Sequence, residues 1–175
     1  NDAAPPEGQR YMFIALNLGD CKVYHWARST GRVSELTIGN RGNIDNAADP
    51  GGRLGPYKSD GTPDLRNLNY YYSFCTDGDL ILVCSDGVHD NLDPVSLGKT
   101  PAELGLGEGS WQDAQRRNDT DTRAAIAQFS TAYLTGLLTP PAGKTLTPSF
   151  VTSRLMKHCL VTTKVRCGER GLCWT

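Results

Sequence analysis

LILVCSDGVHDNL, running from Leu80 to Leu92, is an apolar run that ends in two carboxylates. Leu80 to Ser85 (LILVCS) has the length and continuous apolar character of a strand, and predicts a central strand buried on both faces. It passes directly into Ser85-Asp86-Gly87 and meets a second acid at Asp90. A carboxylate at the end of a rigid strand can be held to within a fraction of an ångström. Hard, oxygen-preferring cations such as magnesium or manganese require that. Gly87 lets the backbone turn close to such an ion. The same residues also have a plainer reading, in which Asp86 starts a tight turn and Asp90 caps a helix.

Working outward, Thr76-Asp77-Gly78-Asp79 is a turn, and before it Asn67 to Cys75 (NLNYYYSFC) is aromatic and alternating, the pattern of another strand. Further upstream, Tyr11 to Leu18 (YMFIALNL) stops at the turn pair Gly19-Asp20, and Cys21 to Ala27 (CKVYHWA) alternates after it. This predicts a hairpin. Arg32 to Ile38 reads as a further short strand after Ser29-Thr30-Gly31, and Gly39 to Thr62 as a long loop. Downstream, Trp111 to Asp121 is charged without a clear apolar stripe. Thr122 to Leu138 has Ala125, Ile126, Phe129, Tyr133, Leu134, Leu137 and Leu138 at helical spacings and stops at Thr139-Pro140-Pro141. A second helix is expected after Pro148, with Val151, Leu155, Met156 and Leu160 roughly on one face and a loop-like tail from Arg166. The expected organisation is one domain: residues 1–10 a linker or disordered, 11–92 a sheet region and 93–175 helical and irregular.

With 175 residues the chain can bury a core without disulfide staples. Its net charge is −1 and no dense basic stripe occurs, which argues against nucleic acid and anionic membranes as partners. No apolar stretch approaches the roughly 20 residues that span a bilayer. Without an apolar leader near Asn1, a cytoplasmic location is the expectation. Of the six cysteines, Cys21, Cys75 and Cys84 fall within or beside strand patterns and are expected as buried, reduced thiols. Cys159, Cys167 and Cys173 lack the tight paired spacing of a zinc site, with only His158 beside them.

Leu80 to Leu92 resembles the SDGxxD strand-end motif of the PPM-type metal-dependent protein phosphatases, the protein phosphatase 2C family. ALNLGDCKVYHW (Ala15 to Trp26) looks like that family's GDS-type hairpin, and STGRVSELTIGN (Ser29 to Asn40) like the strand after it. The resemblance implies that Asp86, with Gly87 beside it, serves a dinuclear magnesium or manganese centre and that Asp90 serves an additional metal. His89, where tryptophan is common, becomes a packing or rim residue, and Asp20 a turn residue. ADPGGRLGPY (Ala48 to Tyr57) resembles the Gly-Gly segment before the flap more loosely, leaving Arg53 either a bidentate phosphate ligand or a surface arginine. An N-terminal strand with an arginine and a Glu-Asp pair, an Asp-Gly-His-Gly-Gly segment and a final Asp-Asn strand are not found in the sequence.

The resemblance therefore implies an α+β fold, an incomplete antiparallel β-sandwich flanked by helices. It implies hydrolysis of phosphoserine or phosphothreonine in a protein substrate by a metal-activated water, with this chain an inactive fragment of the domain. The alternative is a catalytically degenerate pseudophosphatase kept as a binding or scaffold module. Exposed strand edges would pair with another chain or with further residues.

Overall fold

Among the described residues are five strands: β1 (Tyr11–Asn17), β2 (Lys22–Ala27), β3 (Arg32–Glu35), β4 (Asn69–Cys75) and β5 (Leu80–Cys84). The computed structural model describes residues 8, 10–38, 41, 42, 44, 46, 49–56 and 58–170, except the side chains of 164–170. Apart from Gly8 and Arg10, the expected 1–10 linker lies outside the described residues.

The strands form two small antiparallel sheets, β1-β4 and β3-β2-β5. β2 (KVYHWA) is the middle strand of the second sheet, and Val23, Tyr24, His25 and Trp26 are all buried. Its even positions pair in register with β5, Tyr24 opposite Leu82 and Trp26 opposite Leu80. That face carries the core, in which Tyr24, Trp26, Leu82 and Cys84 pack with Leu92, Leu134 and Leu138. The opposite face looks toward the first sheet, where Nδ1 of His25 lies 3.1 Å from Oγ of Ser73 on β4.

Two strand expectations are corrected. Tyr11 to Ala27 is not a hairpin: β1 pairs with β4, Tyr11 opposite Cys75 through Asn17 opposite Asn69, while β2 pairs with β3 and β5. The Gly19-Asp20 turn is a corner between sheets. Gly19 has φ 96°, and a Cβ there would lie 2.9 Å from the Pro50 carbonyl oxygen, so only glycine fits. The Asn17 amide holds the corner by donating to the Gly19 and Cys21 carbonyls. A hairpin and a corner need the same turn residues, so the local pattern does not separate them. The second correction concerns β5, which is an edge strand and not central. Among the described residues only β2 pairs with it, and Val83 is 72% exposed.

The helices are a single turn α1 (Asp86–His89), then α2 (Trp111–Arg117), α3 (Asp119–Leu138) and α4 (Pro148–Arg170). The expected Thr122–Leu138 helix is present and begins three residues earlier, at Asp119, after the N-cap Asn118, whose side chain accepts from Asp121 N–H. Its buried stripe is Thr122, Ile126, Ser130, Leu134 and Leu138, each four residues from the last. Thr135 Oγ accepts from the Val33 N–H at 3.0 Å and ties α3 to β3. The charged segment after Ser110 is helical because Ser110 and Asp113 form a capping box, which compensates for its weak apolar stripe. α4 runs on to Arg170, past the expected loop-like start at Arg166, so Cys167 and Gly168 are helical. Cys173 lies outside the described residues. The whole is α+β with small antiparallel sheets and flanking helices, and no sandwich closure is seen among the described residues.

Candidate functional site

β5 ends at Cys84, and extended Ser85 (φ −73°, ψ 169°) caps the turn α1. Val88 and His89 N–H donate to the Ser85 carbonyl, and Asp90 N–H donates to that of Asp86. This one turn separates the two acids. Asp86 is exposed, and its carboxylate accepts from the adjoining Gly87 N–H at 2.7 Å. Asp90 lies at the turn's end beside buried His89, whose Nδ1 is 3.2 Å from Asp90 Oδ1.

The strongest polar contact at Asp90 comes from a loop. Arg41 places Nη1 3.1 Å from Asp90 Oδ1 and Nη2 3.3 Å from Oδ2, and on its other side Nε and Nη2 lie 3.0 and 2.6 Å from Asp20 Oδ2. The Arg41 and Asp20 side chains are each 14% exposed, so this is a half-desolvated cluster with one cation between two acids. Arg41 is itself placed by its carbonyl, which accepts from Arg123 Nη2 at 2.9 Å. Burial opposes ionisation of Asp90, but the hydrogen bonds from His89 and Arg41 and the Arg41 charge hold its carboxyl below the usual range. Burial likewise opposes the Arg41 charge, and the two aspartates raise it overall.

Asp20, Arg41 and Asp90 line a cleft of about 440 Å³ with Lys22, Glu35 and Asp93. Lys22 Nζ and Glu35 pair at 3.1 Å. Asp93, held back by burial, is pushed above the ordinary carboxylate value. Asp119 and Arg123 also line it, so five acids face three bases; the cleft favours a cationic occupant, and Arg41 already supplies one.

The expected site residues fall in different places. Asp90 is in the cleft. Asp86 lies outside its lining, near Cys21, whose thiol is raised by partial burial, then Asp20, then Asp86; Cys21 is exposed and not buried as expected, because it sits at the corner beyond β1. Gly87 lines a separate groove beside β5 and α4. Arg53 is on the long loop, where its backbone pairs with Asp64, and it does not line the cleft. Asp86, Asp90 and Asp20 supply oxygen donors of the kind magnesium and manganese take, but their number is short. Among the described residues no three carboxylates converge within ligand distance of one another; the group that does is His25, Cys75 and Asp79. Arg41 escaped the sequence reading because its partners lie 21 and 49 residues away, and no local pattern marks such a contact. Asp20 carried one clue, its place in the turn just beyond an apolar strand.

No helix among the described residues is long and apolar enough to cross a membrane. No family model matches the chain, and no solved structure matches it. A Drosophila melanogaster protein named as PP2C-like domain-containing is 35% identical over 97 residues, which is 54% of this chain. The matched stretch spans 13% of that relative's length. The likeness supports a PP2C-like relationship over the shared stretch.

Proposed function

We propose that the chain is part of a PP2C-like phosphatase domain in which the end of β5 presents Asp86 to a magnesium or manganese centre. The observation that carries this reading is the strand end itself: a rigid strand, one helical turn, and an exposed carboxylate at its start with Gly87 beside it. In its finer form the domain hydrolyses phosphoserine and phosphothreonine in a protein substrate, and the bound metal supplies an activated water for in-line attack. Asp90 serves an additional metal position and Arg53 the substrate phosphate. The two small sheets then belong to a larger β-sandwich. Since two carboxylates cannot hold a dinuclear centre, further ligands have to come from other segments, and these 175 residues alone are inactive.

The Arg41 pair favours a second reading, a degenerate site kept as a binding or scaffold module. A metal at Asp90 has to displace a guanidinium that is already held by two acids. Manganese calorimetry and turnover of a phosphothreonine peptide, both on the full-length protein and its Asp86→Asn variant, separate the two. Tight binding and turnover that vanish in the variant support the phosphatase. Absence of manganese binding in the full-length protein moves the assignment to the module.

A further inference from the structure

We propose that His25, Cys75 and Asp79 form a zinc site that clamps the two sheets together at the corner between β4 and β5. The three residues come from separate parts of the fold. His25 is on the middle strand of the three-stranded sheet, Cys75 ends β4 in the two-stranded sheet, and Asp79 closes the turn between β4 and β5. One ligand atom from each lies within 4.8 Å of the other two. Tetrahedral zinc, with nitrogen and oxygen at about 2.1 Å and sulfur at about 2.3 Å, needs ligand atoms roughly 3.3 to 3.6 Å apart. The spacing of the three ligand atoms is therefore within about 1.5 Å of what zinc needs before any ion enters. Its donor set is an imidazole, a thiol and a carboxylate, which suits zinc and not magnesium or manganese.

The surroundings orient each ligand. Asp79 Oδ1 accepts from Arg28 N–H at 2.8 Å and Oδ2 from Thr76 N–H at 2.9 Å, so backbone donors fix the carboxylate. His25 is 9% and Cys75 8% exposed, which keeps bulk water from competing. Ser73 Oγ lies 3.1 Å from His25 Nδ1 and 3.5 Å from the Phe74 carbonyl oxygen. When the hydroxyl donates to Phe74 it accepts Nδ1–H, the arrangement that holds a metal-ligating histidine in one tautomer. The Nε2 lone pair then faces Asp79 Oδ2 at 3.0 Å. In the metal-free protein the other neutral tautomer, with Nε2–H donating to Asp79 and Ser73 Oγ–H donating to Nδ1, satisfies the same two contacts, and a metal ion would take the place of the Nε2 proton. Zinc binds the thiolate, so its binding releases the Cys75 thiol proton to solvent. Three protein ligands leave a fourth position for water. The site is separate from Asp86 and Asp90 and stands whether or not the phosphatase reading does.

The test is titration of the metal-free protein with zinc against a chromophoric chelator, and with cobalt followed by its thiolate charge-transfer absorption. The expected result is one equivalent bound, cobalt absorption showing a single thiolate ligand, and a melting temperature raised by zinc. Cys75→Ser and Cys75→Ala are expected to lose more than tenfold in affinity together with the cobalt band, and Asp86→Asn to retain both. His25→Gln gives the same loss if it folds; the wild-type cobalt spectrum does not depend on any variant. Absence of a thiolate–cobalt band in the wild type overturns the proposal, as does zinc binding that survives in Cys75→Ser, which would place the ion on other cysteines.

Discussion

Arg41 is a single side chain whose loss strands two acids. Replacing it by methionine keeps the length of its stem and leaves Asp20 and Asp90 half-buried without their shared cation. Urea unfolding of Arg41→Met is expected to show a loss of about 2 kcal/mol, less than for a fully buried pair because water still reaches the cleft. The pH dependence follows from the sign of the Asp90 shift. Its folded carboxyl titrates below the ordinary 3.8, so its contribution is intact above that value and is lost as pH falls through the folded value. The gap between wild type and Arg41→Met should therefore narrow below pH 3.8. Asp93 has the opposite sign. Burial raises it above 3.8, so the fold favours the protonated acid and loses that stability as pH rises through the folded value. Asp93→Asn keeps an oxygen to accept the Val95 N–H, which Asp93 Oδ1 accepts at 2.8 Å, and carries no charge. It should melt higher than wild type at pH 7, with the advantage shrinking in acid. Equal melting at every pH would refute this.

The elements differ in what holds them. α3 is anchored by its five-residue stripe, and Leu134 is fully buried against the sheet that β2 centres. Leu134→Ala should cost about 3 kcal/mol in chemical denaturation, the transfer and cavity terms acting together. α2 rests more on its cap. Ser110→Ala removes the acceptor for Asp113 N–H and should cost about 1 kcal/mol, with the Arg41 cleft unchanged. The stripe of α3 was readable because helical period and burial coincide there. The capping box of α2 was also present in the sequence, but a charged segment without an apolar stripe does not reveal it. β5 was recognisable as a strand from its apolar run. Its place at a sheet edge was not, because an apolar run records how attractive burial is and says nothing of what covers each side.

Across the molecule, the two-stranded sheet turns an apolar face outward. Met12, Ile14 and Leu16 stand in register with Phe74, Tyr72 and Tyr70, and the five of them other than Phe74 are more than half exposed. Such a face, beside unpaired strand edges, favours association. Sedimentation of these 175 residues should show concentration-dependent self-association. Ile14→Lys should shift it toward monomer while leaving the melting temperature nearly unchanged, since the side chain is already exposed. A variant that associates as strongly as wild type would show that this face is not the contact. The sequence by its alternation and turn residues specified five strands close to their observed places, the long helix of α3 and the strand-end acids Asp86 and Asp90, because these patterns are local. Only the tertiary structure decided that β1 pairs with β4, that Arg41 joins Asp20 to Asp90, and that His25 meets Cys75 and Asp79. Each of those contacts is made by residues 21 to 64 positions apart, brought together by two corners that look, residue by residue, like ordinary hairpin turns.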